Sequence, residues 1–158
     1  TLFRSLKVTD MQAAIGCAQL EKLDYIVESR RRNFKILREG LEGTEGLILP
    51  EPIKNSDPSW FGFLISVKSD AGFTRNQLSE YLESKKIQTR NLFAGNLVKH
   101  PAFDEMRSTG KGFRIVGELK NTDFVMTNTF WIGVYPGMTE KMLQYMISTI
   151  KEFVASHK

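Results

Sequence analysis

This 158-residue chain is poor in the groups that most often carry self-sufficient chemistry. It has one cysteine, Cys17, so it can form no internal disulfide, and no second thiol supplies metal-ligand spacing. Its two histidines, His100 and His157, are far apart in the sequence and make no paired-histidine metal motif. There is no nucleophile elbow and no phosphate-binding glycine motif. No apolar run approaches the roughly 20 residues a membrane-spanning helix needs, and neither a span nor a signal peptide is expected. The expectation is a cytoplasmic protein with no membrane partner. The net charge is only +4, and basic residues alternate with acids instead of forming a stripe. That distribution, without a nucleic-acid motif, argues against a nucleic-acid partner. Arg30-Arg31-Arg32 is the one compact basic run, and it reads as a solvated or inter-subunit helix face.

What is present is the composition and length of one globular domain. Thr1 to Ser5 fit nothing that follows, can be encoded by the end of a common sequencing adapter, and read as a non-native scar. From Leu6 to Gly43 a long connecting helix is expected. Thr9-x-x-Gln12 is a capping box at its start. Leu20, Leu23, Val27, Phe34, Leu37 and Leu41 then recur at mostly helical spacing, with a bend or break near Asp24. The small residues around Cys17 suggest a buried thiol packed against another helix.

Residues 44–158 read as a small α+β domain. Leu47 to Leu49, Trp60 to Val67, Ile87 to Phe93 and Thr129 to Val134 are strand candidates. The second is apolar enough for burial on both faces. Thr74-x-x-Gln77 opens a helix with Leu78, Tyr81 and Leu82 inward. A further helix runs from about Glu118 to Met126. Thr139 caps the last one, with Met142, Tyr145, Met146, Ile150, Phe153 and Val154 as its buried stripe. Met106 to Gly112 reads as a flexible surface excursion, and His157 as part of a frayed tail. The order of elements implies a small, largely antiparallel sheet with helices on one face.

Arg90 to Phe103 is the least ordinary stretch. It gathers Arg90, Phe93, Gly95, Asn96, Lys99 and His100 in one loop. Arg90 can grip a phosphate or carboxylate oxygen through its fork of donors, or pair with a helix carboxylate. Phe93 can pack on a sugar ring or cofactor face, or simply in the core, the reading favoured for Trp131. Asn96 both donates and accepts toward hydroxyls. A lone histidine beside proline is more often structural than catalytic, so His100 is a binding candidate and no catalytic residue is assigned.

Several stretches carry a resemblance. Leu6 to Leu20, LKVTDMQAAIGCAQL, resembles the segment after the catalytic lysine in DegT-type nucleotide-sugar aminotransferases. Ser56 to Phe63, Thr89 to Asn96, Val116 to Asp123 and Thr129 to Gly137 resemble the branch of CDP-4-keto-6-deoxy-D-glucose 3-dehydratases more closely. The resemblance implies the C-terminal domain of the type I aspartate-aminotransferase fold, with the catalytic half upstream of Leu6. It implies pyridoxamine 5′-phosphate or pyridoxal phosphate, and chemistry in which a histidine in place of the cofactor lysine removes a proton and the C3 hydroxyl leaves. It also implies a [2Fe–2S] cluster, a flavin/iron–sulfur reductase partner, a nucleotide-sugar substrate and a homodimer. Arg90, Phe93, Asn96, Lys99 and His100 become substrate-binding candidates, and Lys7 a cofactor or pyrophosphate contact. Neither cofactor nor metal is expected to bind this chain alone. One departure is Ser5, which stands where the family places an Asn that reaches the cofactor phosphate of the neighbouring subunit. The alternatives are a PLP-dependent sugar aminotransferase, a GDP-sugar 3-dehydratase without a cluster, and a stand-alone α+β binding or regulatory module.

Overall fold

The computed structural model describes residues 8–157, so Lys7 and the proposed scar lie outside the described residues. Two helices open it, α1 (Asp10–Leu20) and α2 (Leu23–Gly40). Thr9 and Gln12 form the full capping box expected of them. The break expected near Asp24 falls at Glu21 and Lys22, between the two helices. There the Lys22 N–H donates to the Gln19 carbonyl at 3.0 Å, an i→i−3 bond that tightens the last turn.

No residue of α1 is buried, and Met11, Ile15 and Leu20 are among its exposed apolar side chains. Cys17 is therefore exposed, not buried. The small-residue pattern marks a surface suited to close packing, but the described residues place nothing against it.

Four strands follow in chain order: β1 (Leu47–Ile48), β2 (Gly62–Val67), β3 (Thr89–Asn91) and β4 (Thr129–Gly133). They form one antiparallel sheet in the order β1-β2-β4-β3, as expected. Period-two alternation sends Phe63, Ile65 and Val67 to one face, where they are fully buried with Phe130 and Ile132. Leu64 and Ser66 point to the other face and are only half-buried. The expectation that this strand is buried on both faces fails, because α2, α3 (Arg75–Ser84) and α6 (Glu140–Ala155) pack into the core on one side.

That core is held by Leu37 and Leu41 of α2, Leu78 and Leu82 of α3, and Leu143 and Ile150 of α6. Each such side chain contributes about 1.5–3 kcal/mol on burial. Thr74 and Thr139 cap α3 and α6 as expected. Asn33 of α2 is fully buried, and its Nδ2 donates to the Tyr135 carbonyl at 2.8 Å. This bond pegs the helix layer to the turn after β4.

Four further expectations change. The excursion at 106–112 contains a short helix, α4 (Asp104–Thr109), ended by Gly110 in the left-handed conformation. The helix expected near Glu118 is α5 (Lys120–Asn128). Met142 and Tyr145 leave the buried stripe of α6 and are exposed, whereas Leu143 and Ile147 point inward. His157 is docked: its ring lies tilted against Phe153 with centroids 4.1 Å apart, and its Nδ1 hydrogen-bonds the Phe153 carbonyl.

Candidate functional site

The open face of the sheet and the loop after β3 form the candidate site. The β-ladder aligns Arg90 with Trp131, and Trp131 with Leu64, so all three share the face that the core helices leave uncovered. Beyond Asn91 the chain turns sharply. The Phe93 N–H donates to the Asn91 carbonyl at 2.8 Å, and Phe93 takes φ +46°. A phenylalanine in this left-handed region is strained, and such strain persists only where surrounding structure enforces it.

The enforcement is visible in the next residues. Gly95 has φ +65° and lies so close to Met126 of α5 that a Cβ would sit 2.4 Å from the Met126 Cγ. Asn96 is buried; its Oδ1 accepts from the Val98 N–H at 3.2 Å and its Nδ2 donates to the Asp123 Oδ1 at 2.8 Å. Lys99 Nζ pairs with the Asp123 Oδ2 at 2.8 Å. The His100 Nε2 hydrogen-bonds the Ala94 carbonyl at 2.7 Å. Arg107 of α4 donates to the carbonyls of Val98 and His100. The loop is thus tied to itself, to α4 and to α5. The Lys99 ammonium and then the Asn96 amide hold the Asp123 carboxyl below the ordinary aspartate range.

This geometry divides the residues expected to bind substrate. The polar groups of Asn96, Lys99 and His100 are committed to holding the loop. Arg90 and Phe93 remain turned outward. Phe93 is 80% exposed and forms one wall of a cleft of about 180 Å³ that also touches Pro58, Phe61, Leu92 and Trp131. Trp131 meets Phe61 edge-on at 5.2 Å and is half-buried, so it is a wall of the cleft and not a core residue.

Among the described residues Arg90 has no ion pair or hydrogen bond. The helix carboxylate nearest in charge is Glu83, and it accepts from the Thr89 N–H at 2.5 Å and from its hydroxyl at 2.9 Å. Those two bonds, more than the charge of Arg90, hold the Glu83 carboxyl below its ordinary value. The alternative of an Arg90 ion pair with a helix carboxylate is therefore not what the structure contains.

Two residues escaped notice in the sequence. Asp123 reads there as an ordinary solvated helix acid; its role as a hub appears only when α5 meets the loop. Phe61 reads as part of a strand but lies just before β2 and faces outward. Across the sheet edge, Arg90 and Trp131 also border a larger cavity that contains Lys85 and Lys86 but no acidic residue. A B6 cofactor needs an acid beside its pyridinium nitrogen and an anchoring lysine or its replacement, with donors around the phosphate. Neither recess combines these groups, so the described residues do not by themselves fit the cofactor. Among the described residues no cluster of His, Cys, Asp and Glu is placed to hold a metal.

Comparison with known proteins agrees with this incomplete site. The chain is 51% identical over 151 residues to a dTDP-4-dehydro-2,6-dideoxy-D-glucose 3-dehydratase of Saccharopolyspora spinosa, covering 96% of this chain and 32% of that protein. It is also 51% identical to the lipopolysaccharide biosynthesis protein RfbH of Salmonella typhimurium, covering 94% of this chain and 33% of that one. The chain therefore spans about a third of the length of these curated relatives. The crystal structure of a GDP-4-keto-6-deoxymannose-3-dehydratase with a trapped PLP-glutamate geminal diamine superposes with a TM-score of 0.77 at 26% identity, covering 89% of this chain and 35% of that one. With residues 4–151 matching its pattern, the chain belongs to the DegT/DnrJ/EryC1/StrS aminotransferase family.

Proposed function

We propose that this chain is the C-terminal portion of a B6-dependent nucleotide-sugar 3-dehydratase of dideoxysugar and lipopolysaccharide O-antigen synthesis. The observation that carries the reading is the identity of half its residues, along nearly its whole length, with a sugar 3-dehydratase. Within that reading the complete protein is a cytoplasmic homodimer acting on a CDP-4-keto-6-deoxyglucose. Its upstream half supplies pyridoxamine phosphate, a catalytic histidine and a [2Fe–2S] cluster reduced by a flavin/iron–sulfur partner. This portion alone is inactive.

The part assigned to this chain is recognition. Arg90 offers two parallel donors to an oxyanion of the nucleotide sugar. Phe93 packs against the sugar ring, supported by the aromatic wall of Phe61 and Trp131. Asn96, Lys99 and His100 act on substrate by setting the loop that presents Phe93. Lys7 contacts the cofactor or pyrophosphate. Proton transfer is assigned to the upstream half, since His100 is held by the Ala94 carbonyl.

The test is the reading frame upstream of Leu6. A histidine at the cofactor-lysine position, together with a cysteine cluster, is the expected result. A lysine there overturns the dehydratase reading in favour of a transaminase, and a histidine without the cysteines overturns the iron–sulfur part. In the complete enzyme, Asn96→Ala is expected to weaken substrate use and leave cofactor binding intact. The stand-alone-module alternative is distinguished by dye binding to exposed apolar surface. The exposed Met11, Ile15 and Leu20 of α1 favour strong binding.

A further inference from the structure

Gly62 opens β2, directly across the ladder from Gly133. Its φ lies outside the left-handed region, so the backbone there does not call for glycine. What excludes a side chain is the space beside it. A Cβ on Gly62 would sit 2.8 Å from the Trp131 Cε3, 3.3 Å from its Cδ2 and 3.4 Å from its Cζ3. These are three carbons of the six-membered ring of the indole. The same addition at Gly133 would meet nothing within 4 Å. Of the two glycines that face each other, only Gly62 makes room for a neighbour.

The register explains the contact. Trp131 is paired with Leu64, two residues along β2 from Gly62 and on the same face of the sheet. A large aromatic side chain reaches such a diagonal neighbour. The indole therefore leans over β2 and occupies the place of the missing side chain. The Phe61 carbonyl accepts from the Val134 N–H at 2.8 Å, which holds the chain before Gly62 against the end of β4. Phe61 then meets the leaning indole edge-on, with centroids 5.2 Å apart. A glycine weakens a strand relative to alanine, so this seat for Trp131 carries a conformational cost. Among the described residues Trp131 alone lines both the aromatic cleft and the cavity at the β3 edge. The position of its ring sets the form of the cleft, whose volume is only about 180 Å³.

We propose that Gly62 is a positioning residue for substrate: by having no side chain it lets the Trp131 indole lie over β2 and form the floor of the cleft beside Phe93. A side chain at this position displaces the indole and removes that floor. The proposal rests on the reading that the cleft receives the sugar ring, and it assigns the form of the cleft to one strand position.

The test compares Gly62→Ala, Gly133→Ala, Trp131→Ala and the double variant Gly62→Ala/Trp131→Ala. The 158-residue chain has two tryptophans, Trp60 and Trp131, so labelling with 5-fluorotryptophan gives two fluorine signals. Gly62→Ala is expected to shift the Trp131 signal and lower the melting temperature, and Gly133→Ala to leave that signal in place. In the Trp131→Ala background the Gly62→Ala penalty is expected to vanish, because the ring it meets is gone. The double variant should fold like Trp131→Ala whatever the single variant does. In the complete enzyme Gly62→Ala is expected to raise KM for CDP-4-keto-6-deoxyglucose about tenfold, the low end of what one methylene does in a close-fitting pocket. Its kcat should change little, the pattern of a pure binding loss. A role confined to folding would lower stability and leave KM alone.

An unmoved Trp131 signal in Gly62→Ala overturns the positioning role. So does an equal stability penalty with and without the indole. Both outcomes are read on the isolated chain and do not depend on the reaction of the complete enzyme. A displaced indole with unchanged KM overturns the cleft as the place of sugar contact, and with it the recognition role given to Phe93.

Discussion

Asn96 and Asp123 face each other across 27 residues of sequence, with the amide Nδ2 2.8 Å from the carboxylate Oδ1. Lys99 takes the second oxygen of the same carboxylate. One acid thus fastens two points of the loop to α5. The loop that offers Phe93 owes its shape to a residue outside it.

Asp123→Ala should release both contacts at once and leave the buried Asn96 amide without its acceptor. The expected result is a loss of stability, larger than for Lys99→Ala because the Asn96 amide loses its acceptor. Urea unfolding measures it, and amide exchange should quicken between Leu92 and His100. Unchanged exchange there would refute the hub role. Lys99→Ala, which removes only an exposed partner, should cost about 1 kcal/mol or less.

Acid should loosen the same region. The Asp123 and Glu83 carboxyls both sit below their ordinary values in the folded chain. A depressed folded value means the unfolded chain takes up the proton first. The stabilisation is therefore complete above the unfolded values, near pH 4, and is lost as pH falls through the lower folded ones. Titration from pH 6 downward, followed by NMR of the two carboxyls, should show midpoints below those of exposed acids. Replacing Thr89 with Val should raise the Glu83 midpoint by removing its hydroxyl donor, which is the second-largest contribution after the backbone N–H.

Gly95→Ala should destabilise the chain by about 2 kcal/mol or more, since the new Cβ meets Met126 and the backbone lies at positive φ. The double variant Gly95→Ala/Met126→Ala separates the two causes. It should relieve the steric part and leave the conformational part. A melting temperature for Gly95→Ala equal to the parent's would contradict this packing.

Phe93→Gly should do the reverse. Phe93 is exposed and strained, so glycine should stabilise the isolated chain by about 1 kcal/mol. In the complete enzyme the same change should impair substrate use. A stabilised variant with full activity would show that the strain serves no recognition.

Pyridoxamine phosphate added to this chain should give no protein-bound cofactor absorbance. Neither recess of the described site pairs an acid with the groups a B6 cofactor needs. Tight stoichiometric binding would refute the assignment of the cofactor site to the upstream half.

The sequence by itself determined the local elements. Thr9, Thr74 and Thr139 with their partners mark three helix starts, because capping is decided within four residues. The apolar run from Trp60 to Val67 and the helical spacing of Leu78 and Leu82 identify strand and helix for the same local reason, although the run did not show that only one face of the strand is covered. The loop at Arg90 to Phe103 was also legible as unusual, from the residue types it gathers.

What each residue of that loop does was decided only by tertiary structure. A side chain's hydrogen-bond partner depends on which distant element arrives beside it. α5 brought Asp123 to Asn96 and Lys99, turning two expected ligand contacts into loop supports. The sheet's register put Arg90 beside Trp131, where among the described residues its guanidinium makes no hydrogen bond or ion pair. The exposure of Cys17, Met142 and Tyr145 was likewise beyond local pattern. Periodicity shows which side chains share a face, but only packing shows whether another part of the chain covers it.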